Sequence, residues 1–110
     1  MPVYEPGDVV VVPFPFTDRL ASKRRPALVC SSVAYNGGTR HVVLAMITTA
    51  RHSQWSGDVP IRDLQAAGLP APSIVRWKLF TLDASLILRT AGALAAEDRG
   101  ECAARHPIAL

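Results

Sequence analysis

Gly7-Asp8 leads into four consecutive valines, Val9 to Val12, and Pro13 closes the run. Four adjacent β-branched side chains lose χ1 freedom in a helix and pack well on a pleated surface, so the run reads as a short buried strand. Phe14-Pro15-Phe16-Thr17-Asp18 cannot extend it into a central strand, because Pro13 and Pro15 lack the donor a ladder needs.

The rest of the chain repeats that kind of unit. A polar loop from Asp18 to Arg24 leads to a second strand, Pro26 to Ser32, and Arg40 to Thr48 reads as a third. Tyr35-Asn36-Gly37-Gly38 joins these two as a tight turn, since Asn and Gly tolerate positive φ. Ala50 to Gly57 is a polar loop, Asp58 to Ile61 a short edge strand, and Arg62 to Ala67 a helical turn stopped by Gly68. Ser73 to Leu82 alternates, with Val75, Trp77 and Leu79 on one face and Arg76, Lys78 and Phe80 on the other. Leu86 to Leu88 reads as a last short strand, and Leu94 to Arg105 as a C-terminal helix that Gly100 weakens and Pro107 ends. Short strands with turn signals and little helix predict a mainly β protein, a small and strongly bent sheet or barrel.

With 110 residues, 49% of them hydrophobic, the chain makes one domain, 1–110, able to bury a core without disulfides or a structural metal. No apolar run approaches the ~20 residues of a membrane helix, and no signal-peptide pattern opens the chain, so a soluble cytoplasmic protein is expected. Cys30 and Cys102 have no second cysteine near either; the reading favours buried free thiols over one disulfide. Twelve Lys and Arg against nine Asp and Glu give a formal charge of +3. The distribution says more than the total. Arg19, Lys23, Arg24 and Arg25 cluster, whereas Glu97, Asp98 and Glu101 gather near the C-terminus. A local basic cluster on a small domain is the footprint of a protein that meets phosphates.

No GxGxxG or Walker loop, HExxH or GxSxG stands in the sequence, and His41, His52 and His106 share no ligand spacing, so no cofactor and no metal are expected. What remains is Ser22-Lys23-Arg24-Arg25 leading into one strand and Thr48-Thr49 ending another. If those strands are neighbours, an Arg guanidinium and a Thr hydroxyl reach one phosphate. Such a pair stabilises the charge that builds on phosphorus when a ribose 2′-hydroxyl attacks its own phosphate. The alternative is a solvated loop beside an ordinary strand end.

Gly7 to Phe14, Lys23-Arg24-Arg25-Pro26-Ala27-Leu28-Val29, Ile47-Thr48-Thr49, Gly57-Asp58-Val59-Pro60-Ile61 and Ser73 to Asp83, in that order, resemble the MazF/PemK family of bacterial toxins from type II toxin-antitoxin modules. The resemblance covers about residues 7–94 and implies an SH3-like or CcdB-like barrel with a C-terminal helix, a homodimer, and metal-independent, sequence-specific cleavage of single-stranded RNA. The products it implies are a 2′,3′-cyclic phosphate and a 5′-hydroxyl, and the partner is a cognate antitoxin with an acidic C-terminal tail.

Carried onto this chain, the family's catalytic pair falls on Arg25 and Thr48. Arg25 stays protonated and serves as phosphate clamp and proton donor rather than base. Ser22, Lys23, Arg24, Thr49, His52, Arg76 and Lys78 make up the expected substrate-binding set. Arg76 and Lys78, sharing a strand face, are expected to track the RNA backbone, and Trp77 to turn toward core or dimer interface. The base is left open: His52 lies four residues beyond Thr48, and the acid that some family members carry on the strand matching 75–83 is absent or moved. Two rival readings are a CcdB-like gyrase-targeting toxin and a non-cleaving RNA-binding barrel.

Overall fold

The protein is described as a computed structural model covering residues 3–13, 24–49 and 55–105. Ser22, Lys23 and His52, and all of the expected 18–24 loop but Arg24, lie outside the described residues. The valine run forms β1 (Asp8–Pro13), followed by β2 (Arg24–Val29), α1 (Val33–Thr39), β3 (His41–Thr49), β4 (Val59–Pro60), α2 (Leu64–Ala67), β5 (Ser73–Asp83), a 3₁₀ turn at Ala84–Leu86, β6 (Arg89–Ala93) and α3 (Ala96–Arg105). The strands make one antiparallel sheet in the order β4-β5-β3-β2-β1-β6. It curls into a half-barrel with the C-terminal helix against it.

Successive strand residues point to opposite faces, and the sheet buries both. Val9, Leu28, Ala45, Ile47 and Val75 form one core with Ala67 of α2 and Cys102 of α3. Val10, Val12, Ala27, Leu44 and Phe80 form the other, closed by Ile87. That is why the valine run does not alternate with polar residues: Val9, Val10 and Val12 are all fully buried, each contributing roughly 1.5–3 kcal/mol of burial.

Three local expectations are corrected. Tyr35-Asn36-Gly37-Gly38 lies within helix α1 instead of forming a tight turn. The Ser32 hydroxyl caps it by accepting the Tyr35 N–H, and the buried Asn36 side chain donates to the carbonyls of Tyr4 (2.8 Å) and Ser31 (3.1 Å). These bonds outweigh the cost of about 1 kcal/mol that each helical glycine brings. Leu86 to Leu88 is not a strand; the chain makes the 3₁₀ turn there, and the last strand is Arg89–Ala93, which pairs with the open edge of β1. In β5 the alternation is interrupted, because Ala45 pairs with Leu79 but Met46 with Arg76, leaving Trp77 and Lys78 as a two-residue bulge.

The helices are fixed by backbone contacts. Gly68, at φ 70°, ends α2, and a Cβ there would fall 2.1 Å from the Ala91 carbonyl oxygen. A Cβ on Gly92 would meet the Ala66 carbonyl oxygen at 2.3 Å, so α2 and β6 touch backbone to backbone. From α3, the buried Asp98 carboxylate accepts the N–H groups of Arg62 and Asp63, each at 3.0 Å. Cys30 and Cys102 are buried free thiols. Burial, with Cys102 nearby, pushes Cys30 up to about 12, and burial, with Asp98 and Glu101 nearby, pushes Cys102 up to about 11.

Candidate functional site

The register aligns the residues the sequence singled out. β2 and β3 are neighbours, as the phosphate-site reading requires. Val10, Ala27, Met46 and Arg76 stand in one row across β1, β2, β3 and β5. In the next row Val12 faces Arg25, and Thr48 faces Ile74. Pairing between β2 and β3 stops at Ala27–Met46, and the same register carried two residues further sets Arg25 level with Thr48. By strand parity Arg25, Thr48 and Arg76 share the sheet face of Leu44 and Phe80. Arg25 is half-buried with its Nε shut off from water, and Thr48 is half-buried.

The same parity separates the other candidates. Thr49 follows Ile47 and Arg24 follows Leu28, so both turn to the opposite face. An open groove of about 340 Å³ is lined by Arg24, Arg25 and Arg89, with apolar walls that include Val11, Leu69 and Leu88.

Arg76, expected to track the RNA backbone, lies buried in an ion pair. It is 8% exposed and pairs with Asp58, which immediately precedes β4: Nη2 donates to Oδ2 at 3.0 Å and Nε to Oδ1 at 3.3 Å. Burial raises the Asp58 pKa, but hydrogen bonds from Arg76 and from the Trp55 backbone N–H, with the Arg76 charge, win and hold it below the usual carboxylate range. Lys78, displaced by the bulge, is exposed. Trp77 is half-buried against the core that holds Cys102, with its indole N–H donating to the Gly57 carbonyl at 2.8 Å.

Sequence reasoning passed over Trp55 and Arg89. Trp55 is exposed, with the Arg76 guanidinium 5.3 Å and the Lys78 ammonium 6.0 Å from its ring centroid. The available signal was an aromatic residue isolated in a polar stretch just before Gly57-Asp58. Arg89 carried no signal, because its strand was not expected. Among the described residues no three His, Cys, Asp or Glu side chains converge, and no helix is long and apolar enough to cross a membrane.

The sequence matches the PemK-like, MazF-like toxins of type II toxin-antitoxin systems over residues 5–107. The chain belongs to that family. A search of curated proteins finds no match. Among solved structures, this PemK/MazF chain is similar to an endoribonuclease in complex with its cognate antitoxin from a mycobacterial species, at TM-score 0.71 and 19% identity over 96% of this chain and 90% of that one. It is similar to MazE-MazF from Deinococcus radiodurans, at TM-score 0.72 and 22% identity over 96% and 92%. For the Mycobacterium tuberculosis toxin MazF-mt6 the values are 0.69 and 22% over 89% and 90%. These likenesses show a shared MazF-like fold.

Proposed function

We propose that this PemK/MazF toxin is a metal-independent, sequence-specific endoribonuclease of single-stranded RNA, acting in the cytoplasm as a homodimer with Arg25 and Thr48 as its catalytic pair. The observation that carries the reading is their placement: one sheet face, neighbouring strands, one register.

In the reaction the ribose 2′-oxygen loses its proton and bonds to the adjacent phosphorus, and the bond from phosphorus to the 5′-oxygen breaks. The 5′-oxygen takes a proton, leaving a 2′,3′-cyclic phosphate and a 5′-hydroxyl. Arg25 holds two phosphate oxygens in its planar fork and stabilises the charge that develops on them, while the Thr48 hydroxyl donates a further hydrogen bond. Asp58 on the same face is a weak base, since its oxygens already accept Arg76 and the Trp55 N–H. The groove of Arg24, Arg25 and Arg89 suits the acidic tail of a cognate antitoxin, whose charge complements it.

Incubation with a long single-stranded RNA in EDTA tests the reading. Discrete fragments with 5′-hydroxyl ends are expected, and Arg25→Ala lowers the rate about 10²- to 10³-fold, as loss of a positioned charge stabiliser does. Intact RNA, or cutting unaffected by Arg25→Ala, overturns it.

A further inference from the structure

Trp55 belongs to neither apolar core and is 47% exposed, yet the groups that fix it are mostly buried. Its backbone N–H donates to Asp58 Oδ2 at 2.9 Å, and the Asp58 N–H donates back to the Trp55 carbonyl at 3.1 Å. The same carboxylate holds Arg76 in a two-bonded pair whose side chains are 10% and 9% exposed. Taking an ion pair out of water costs several kcal/mol per ion before the attraction offsets it. A ring that serves only packing does not require that support and does not stay half in water. The arrangement instead holds an open aromatic surface beside two cations.

We infer that Trp55 is a nucleobase platform, on which one base of the RNA stacks while Lys78 meets a neighbouring phosphate. This rests on the ribonuclease reading and names a further part of that site. Base stacking on an aromatic ring is worth about 1–3 kcal/mol and tolerates any base, and the exposed Lys78 beside the ring, the Arg76 charge being met by Asp58, favours a polyanion over a cationic partner. The position fits. Arg76, which lies against the indole, stands opposite Met46 on the face that carries Thr48, and β5 is two strands from β2. At about 4.8 Å per strand, the platform's support lies ~10 Å from the Arg25 strand, within reach of a base flanking the cleaved phosphate.

The test uses the full-length protein and a short RNA spanning its mapped cut site, with 2′-deoxyribose at the cut nucleotide to prevent cleavage. Binding is expected to quench Trp fluorescence in the wild type and to leave the signal of Trp55→Phe, which retains Trp77, nearly unchanged. With cleavable RNA, Trp55→Ala raises KM about 5- to 150-fold and leaves kcat nearly unaltered, while Trp55→Phe restores most of the affinity. An abasic nucleotide moved through the RNA weakens wild-type binding at one position, and at that position it costs Trp55→Ala nothing further.

Wild-type cleavage with no quench, and an unchanged KM for Trp55→Ala, overturns the platform and leaves the ribonuclease reading standing. A Trp55→Ala protein that sediments as a monomer where the wild type is a dimer, together with wild-type fluorescence that RNA does not quench, makes Trp55 a subunit contact and also overturns the platform. Absence of both cutting and binding by the wild type overturns the two together.

Discussion

Asp58 and Asp98 are both carboxylates held largely out of water, and they do opposite jobs. Asp98 is filled by backbone N–H groups, those of Arg62 and Asp63, and joins α3 to the segment before α2. Asp58 is filled chiefly by a side-chain cation, with one backbone N–H from Trp55. A carboxylate satisfied by main-chain donors fixes the path of the chain and has nothing left to present. One satisfied by a guanidinium fixes the direction of another side chain, here Arg76 beneath the exposed Trp55 ring.

The contrast is open to breaking. Asp98→Ala leaves buried N–H groups without an acceptor and is expected to cost about 3 kcal/mol, read as a lower urea midpoint, while the remaining folded protein cuts RNA at close to the wild-type rate. Asp58→Ala takes the partner carboxylate from a guanidinium that is 10% exposed and is expected to cost a similar amount, about 3 kcal/mol, but also to raise KM for RNA. Finding an unchanged KM in Asp58→Ala and a raised one in Asp98→Ala would falsify the distinction. A sharper version pairs Asp58→Ala with Arg76→Met: removing both charges recovers stability, as replacement of a buried pair often does, and RNA affinity stays low.

Acid gives a smaller effect with a definite sign. Asp58 has its folded pKa lowered, so its contribution is present above the unfolded value near 3.9 and is lost as pH falls through the folded value. The stability gap between wild type and Asp58→Asn is therefore widest near neutrality and closes below about pH 4; a gap that widens in acid contradicts the assignment. The smallest effect concerns thiols. With Cys30 near 12 and Cys102 near 11, neither reacts with a disulfide reagent at pH 8 in the folded wild type. Cys102, on the buried face of α3, becomes reactive in Asp98→Ala and stays inert in Asp58→Ala.

Most strands were legible because their signal is local. The valine run, Pro26 to Val29, Arg40 to Thr48 and the long stretch after Ser73 declare extended structure by residue type, and Gly68 declares the end of α2. Helix α1 was not legible, since Asn-Gly-Gly reads as a turn and the bond that decides otherwise joins Asn36 to Tyr4, distant in sequence. Strand β6 was hidden because Arg-Thr-Ala-Gly-Ala has no strand pattern; it pairs because β1 offers an edge and Gly92 lets α2 approach.

The same division runs through the site. Arg25 and Thr48 share a face by simple parity once their strands are known, and their family pattern is visible in the chain. The burial of Arg76 against Asp58, and the indole above it, depend on how β4 meets β5 after the bulge. No periodicity within one segment encodes that meeting.

The Trp77–Lys78 bulge also bears on divergence. It holds two residues, and two is the period of a strand, so the residues before and after it keep their faces. One residue fewer would turn every side chain beyond it over; two fewer would only shorten the strand's reach. Length at this point is adjustable in even steps, which change what the bulge presents beside Trp55 while Phe80 and Leu82 stay seated. A family can therefore vary the surface beside this strand by trimming or extending it, with its core left untouched.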